Sequence, residues 1–106
     1  MREVAVKVEI MIPEGESEQG YHHPTAEEKF LWRGLVPESI TPAQLMEKLA
    51  VEHEDIRKKV YDPSERKFLA EYMMILNGRF LLLEEMNMFS IRENDEINLL
   101  PVPFGG

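Results

Sequence analysis

The stretch TPAQLMEKLAVEH, Thr41 to His53, reads as the start and body of a helix. Thr41 offers a side-chain oxygen to the orphan amides of a first turn, and Pro42 has no amide to lose at the first helical position. Gln44 completes a Thr-x-x-Gln capping box. Leu45, Met46 and Leu49 fall on one face while Glu47, Lys48 and Glu52 fall elsewhere, so a helix from about Pro42 to His53 has a single stripe to bury. A helix of that kind needs a sheet to lie on, and the flanking sequence supplies one.

Upstream, Val4, Val6, Val8, Ile10 and Ile12 alternate with Ala5, Lys7, Glu9 and Met11, the period-2 pattern of a strand with one buried face. Residues 14–29 are polar, carry glycines and prolines and lack either periodicity, which predicts a long loop. Phe30 to Val36 is rich in apolar and aromatic residues and forms a second strand, with Gly34 marking a bulge or a weak point. Downstream, Ile56 and Val60 extend the helical cover, and Asp62-Pro63-Ser64 makes a turn. Phe68 to Leu76 contains a strand that ends at Asn77-Gly78, a favoured pair for a type I′ hairpin, and Arg79 to Leu83 returns. A connection through Met86, Met88 and Ile91 leads to the turn at Arg92 to Asp95, where Asn94 tolerates a left-handed conformation, and Glu96 to Leu100 is the last strand. The order strand, strand, helix, strand, strand, strand predicts an α+β domain with a mixed sheet of about five strands packed on one main helix.

With 106 residues the chain fits one domain, 1–106, with 101–106 as a flexible exposed tail. Of its residues, 43% are hydrophobic and 30% charged, which suits a globular chain with a small core. There is neither an apolar run long enough to span a bilayer nor the layout of a signal peptide, and the expectation is a cytoplasmic protein. Zero cysteines leaves the chain no disulfide, no thiolate zinc or iron–sulfur ligands and no thiol nucleophile. A net charge of -8 repels nucleic acid phosphates and favours partners with basic surfaces.

The residues offer no catalytic set. His22-His23, with Glu16, Glu18, Glu27 and Glu28 nearby, is the one cluster with metal-ligand chemistry, but it lacks a spaced second pair, so a solvated loop is the simpler reading and no metal is expected. Asp95 and Glu96 are consecutive strand residues that point to opposite faces and cannot share a proton, so both are read as turn and surface groups. Met46, Met73, Met74 and Trp32 sit in patterned elements and are read as packing. On the last strand Ile97 and Leu99 should face the helix, leaving Leu100 with Glu96 and Asn98 on the open face, while Tyr72 to Leu76 is apolar on both faces. The surplus apolar surface predicts a partner-binding patch built on Leu100, Pro101, Val102, Pro103, Phe104, Met73, Met74 and Leu76.

From about Ser39 to Gly106 the chain resembles the ubiquitin-like sulfur carriers, the family of the molybdopterin synthase small subunit and the thiamine-pathway carrier. The resemblance rests on several pieces in the right order: the capped helix, Ile75-Leu76-Asn77-Gly78-Arg79 beside the family's Val-Asn-Gly, Asn94-Asp95-Glu96-Ile97 beside Gly-Asp-Glu-Val, and Leu100-Pro101-Val102-Pro103-Phe104-Gly105-Gly106 beside Phe-Pro-Pro-Val-x-Gly-Gly. The prolines of the ending lean toward the molybdopterin side. The departures are the long 14–29 loop, Asn94 in place of glycine, and the Pro103-Phe104 dipeptide.

The resemblance implies a ubiquitin-like β-grasp fold and a carboxyl-terminal Gly106, preceded by Gly105, that an adenylating enzyme of the ubiquitin-activating kind converts with ATP and magnesium into an acyl-adenylate. A persulfide-bearing sulfur donor then displaces AMP to leave a thiocarboxylate, which a synthase large subunit spends in molybdopterin-type (molybdenum or tungsten) cofactor synthesis. It implies no cofactor bound by this chain and no catalytic side chains of its own. Glycine suits the role because residues without Cβ can be threaded into a narrow channel, and Pro101 and Pro103 stiffen the base of the tail. The same activated carboxylate would serve a thiamine or other sulfur-transfer pathway, or a protein modifier joined through Gly106 to target lysines. A β-grasp interaction module without carboxyl-terminal chemistry is the alternative of another class.

Overall fold

The computed structural model describes residues 2–13 and 27–102. Two long strands, β1 (Glu3–Pro13) and β2 (Glu27–Pro37), precede α1 (Pro42–Glu52) and the short α2 (Glu54–Lys59). There follow β3 (Tyr61–Asp62), β4 (Lys67–Phe68), β5 (Tyr72–Leu76), β6 (Arg79–Leu81), a 3-10 turn over Leu83–Asn87, and β7 (Asp95–Pro101). The main sheet has five strands in the order β2-β1-β7-β5-β6, with β1 and β7 parallel and the other pairs antiparallel. With one main helix on one face, this is a small α+β, β-grasp-like fold. No helix of the described residues is long and apolar enough to cross a membrane.

The helix forms as its sequence dictates. Gln44 N–H donates to Thr41 Oγ1 at 3.2 Å and Thr41 N–H to Gln44 Oε1 at 3.0 Å, closing the capping box, and His53 caps the far end. Leu45, Met46 and Leu49 are buried against the alternating Val4, Val6, Val8 and Ile10 of β1 and Ile97 and Leu99 of β7. Burying one such side chain contributes about 1.5–3 kcal/mol and an N-cap about 1 kcal/mol. The stripe therefore fixes the helix on the sheet, and the cap fixes where it starts.

Four expectations need correction or completion. First, β2 begins at Glu27, so the predicted loop gives up its last residues to the strand; the rest of it lies outside the described residues. Second, the register of β1 with β2 is continuous from Glu3↔Pro37 to Pro13↔Glu27, so Gly34 is not a bulge. Its role is steric, because a Cβ there would stand 2.6 Å from the Trp32 ring, which lies across it. Third, the expected strand within Phe68 to Leu76 is β5, Tyr72–Leu76, and what was not expected is a pairing for Phe68. Phe68 closes a two-stranded hairpin with Tyr61, their rings edge to face at 5.1 Å, while Leu69 and Ala70 turn the chain into β5. Fourth, the returning strand stops at Leu81, because the Glu85 carboxylate accepts the Leu82 amide at 3.0 Å and starts the 3-10 turn.

Candidate functional site

The end of β7 is set by one imino acid. Glu96 turns both backbone groups toward Asn77 on the β5 side, its C=O accepting the Asn77 N–H and its N–H donating to Asn77 Oδ1, each at 2.8 Å. Val102 N–H likewise donates to Glu71 C=O at 2.9 Å, so even positions face β5 and odd positions face β1. The register Ile10↔Leu99 then puts position 101 against the Met11 carbonyl, but Pro101 has no hydrogen to give. The Tyr72 hydroxyl donates to that carbonyl instead, at 3.4 Å. The ladder toward β1 thus ends at Pro101, and Val102 is still held on the β5 side. Pro103, Phe104, Gly105 and Gly106 lie outside the described residues.

The sheet face opposite the helix carries the half-buried Leu100 across from the half-buried Met73. Ile75 sits across from Asn98 on one side and from Phe80, 58% exposed, on the other. Met74 is fully buried and faces the helix, so it offers no surface to a partner; strand alternation sends it to the core between Met73 and Ile75. Leu76 shares that inward side and packs on the margin of the core. The predicted patch thus keeps Met73 and Leu100 on the open face and gains Ile75 and Phe80. Both additions were readable: the Asn77-Gly78 turn makes Leu76↔Arg79 the closing pair and so places Phe80 beside Ile75.

Asn77 and Gly78 have φ of 51° and 84°, the left-handed pair that a type I′ turn requires. Asn94, φ 66°, takes the left-handed position expected of it. Asp95 is not a surface group. It is only 8% exposed, its Oδ1 accepts Asn77 Nδ2 at 2.9 Å and its Oδ2 accepts the Arg92 amide at 2.7 Å. Two charge-assisted bonds offset the burial and tie the turn before β7 to the β5–β6 hairpin. Glu96 is exposed on the other face.

On the helix side, a groove of about 560 Å³ between α1 and the β3–β4 hairpin includes Glu47, Tyr61, Arg66, Phe68 and Glu71, and so adjoins the point where Val102 leaves the sheet. Burial pushes the Tyr61 phenol above its ordinary value, and the nearby Glu47 adds to the shift. Glu47 is itself paired with Arg66 at 3.5 Å. His22 and His23 lie outside the described residues, and among those described no cluster of three His, Cys, Asp or Glu residues could hold a metal ion. Met46 is core, like Met74, and Trp32 is half-buried against it. Comparison with protein-family models and with curated proteins returns no match for this chain.

Proposed function

We propose that this chain is a sulfur carrier whose Gly106 carboxylate is adenylated and then converted to a thiocarboxylate, for delivery in molybdopterin-type cofactor synthesis. The observation that carries the reading is the release of the central strand: the ladder to β1 stops at Pro101, and the Gly-Gly sequence follows within a few residues. The β-grasp-like strand order and the ordered motifs through Asn77-Gly78, Asp95-Glu96 and Pro101 support it. A carboxylate is a poor acyl donor until it has a good leaving group, which the mixed anhydride with AMP provides. The outer sulfur of the persulfide donor then displaces AMP at the acyl carbon, and a second partner thiol cleaves the resulting acyl disulfide, leaving the thiocarboxylate on Gly106 and a disulfide on the partner side. These steps need catalytic groups that partners provide. The chain provides the acyl group and a docking face. In this reading Met73, Ile75, Phe80 and Leu100, with Pro101, Val102, Pro103 and Phe104 of the tail, meet the adenylating enzyme, the sulfur donor protein and the synthase large subunit in turn.

The experiment is intact mass measurement of the protein, first to verify that Gly106 is the terminal residue and then after incubation with its activating enzyme, ATP, magnesium and a sulfur source. The expected result is a gain equal to the difference between sulfur and oxygen, abolished by deletion of Gly105 and Gly106 with the fold unchanged. Unchanged mass with the cognate enzyme overturns the proposal. Species of higher mass that survive denaturation and vanish with Gly106 would assign the activated carboxylate to protein conjugation instead.

A further inference from the structure

Strand β2 is an edge of the five-stranded sheet and, at 11 residues, the long one; β6 at the other edge has 3. An edge presents backbone groups that template a further strand, and proteins ordinarily blunt it with a proline, a bulge or a cover. From Lys29 to Val36, β2 has no proline, and its register with β1 runs without a bulge. The orientation of its backbone follows from two bonds. Glu38 N–H donates to Arg2 C=O at 3.1 Å and Asn94 N–H to Ala5 C=O at 2.8 Å, so even positions along β1 turn toward β2 and odd ones toward β7. The antiparallel register therefore directs even positions of β2 inward and leaves the N–H and C=O of Leu31, Arg33 and Leu35 pointing off the edge.

The side chains of the same three residues stand on the open face. Leu31 and Leu35 are 51% and 59% exposed, and between them Arg33 stands opposite Lys7. Like charges directly opposed across a ladder repel. Neither cation is ion-paired among the described residues, although Glu96 is the neighbour of Lys7 on its far side. The edge thus reads apolar, cationic, apolar on a chain whose net charge is -8.

A second copy of the chain does not satisfy this pattern. A two-fold register centred on Leu31 sets Lys29 against Arg33 of the other copy, and one centred on Arg33 sets the two Arg33 side chains against each other. Registers centred on Trp32 or Gly34 avoid that but place Arg33 opposite a leucine, and one centred on Phe30 gives Arg33 Glu27 but sets Leu31 opposite Lys29. We propose that the edge of β2, unpaired among the described residues, docks an extended segment of a partner protein in which a carboxylate side chain is flanked, two residues to either side, by apolar ones. It adds as an antiparallel strand, satisfying the outward backbone groups of Leu31, Arg33 and Leu35. Its carboxylate meets Arg33 and Lys7, and its apolar side chains cover Leu31 and Leu35. Lys7 pairs in register with Glu96, at the beginning of β7, so this surface lies at the opposite end of the strand from Pro101 and leaves the tail free.

The test uses the blocked peptide Gln-Leu-Val-Glu-Val-Leu-Gln, titrated into isotope-labelled full-length protein. Saturable amide shifts centred on Leu31 to Val36 are expected below about 1 mM, with at least a tenfold loss of affinity for Arg33→Glu, tenfold being 1.4 kcal/mol. A peptide carrying Lys in place of Glu should recover the affinity of the Arg33→Glu protein. Leu35→Pro, which removes an outward amide and no bond within the sheet, should weaken binding while the remaining spectrum keeps its dispersion. Lys7→Glu serves as a second charge reversal if Arg33→Glu does not fold. The proposal is overturned if no shift saturates, if the shifts centre on Met73 and Leu100, if charge reversal leaves affinity unchanged, or if sedimentation shows that the chain pairs with itself through β2.

Discussion

Trp32 and Gly34 occupy alternate positions on the core side of β2, and the tryptophan ring lies where the glycine has no side chain. A Cβ at 34 would meet two ring atoms at 2.6 and 2.7 Å, closer than carbon atoms approach without one of them moving. The indole is rigid and packs on the core, so it cannot yield as the tip of a lysine would. Gly34→Ala is therefore expected to destabilise the protein by about 1–3 kcal/mol, despite the usual gain from replacing a strand glycine. In a Trp32→Leu background the same change should fall within about 0.5 kcal/mol. Urea unfolding of the four proteins of that cycle measures the coupling; equal costs in both backgrounds would show that the ring is not the cause. Sequence reading saw that Gly34 was unusual in a strand but not why, because the reason is a side chain two residues away folded along the strand. Asp95 was misread on similar grounds: an acidic residue in a turn is ordinarily solvated, and only the pairing of Asn77 with Glu96 brings the amide that permits its burial.

At the scale of elements, Pro101 decides where β7 parts from β1, while Val102 stays bonded to Glu71. Pro101→Ala restores a hydrogen opposite the Met11 carbonyl and should extend the β1–β7 ladder by one bond. Amide exchange at position 101 is then expected to be slowed to the level of Leu99 while the stability rises or holds, and under the proposed function thiocarboxylate formation should fall. Fast exchange at position 101 would mean that the Tyr72 hydroxyl keeps the Met11 carbonyl. Most of the architecture was legible because period-2 runs, a capping box and an Asn-Gly turn are local signals. The capped helix from Pro42, the hairpin at Asn77-Gly78 and the inward Ile97 and Leu99 all stand as read. What escaped were short elements made by tertiary pairing, namely the Tyr61–Phe68 hairpin and the early stop of β6. Residues that only half bury were harder still, and of the face now assigned to partners the sequence named Met73 and Leu100 but missed Ile75 and Phe80.

For the whole molecule, charge and topology set the terms of encounter. A net charge of -8 on a small chain should accelerate association with a basic partner surface at low ionic strength. The Debye length shrinks from about 30 Å at 0.01 M salt to about 8 Å at 0.15 M. Under the proposed function, stopped-flow association with an activating enzyme is expected to slow several-fold across that range with little change in dissociation; a flat rate would assign the acidity to solubility alone. Topology has a separate consequence. The central strand is β7, near the end of the sequence, and beside it lies β1, near its start. Long-range pairings of this kind form late, since the intervening chain must be closed into a loop before they contribute. During synthesis β1 has no β7 to pair with until residues 95–101 have left the ribosome, so the sheet gains its middle last. The ordered base at Pro101 and Val102, from which the chain leaves the sheet, therefore exists only in molecules that have already joined the two distant ends of the domain.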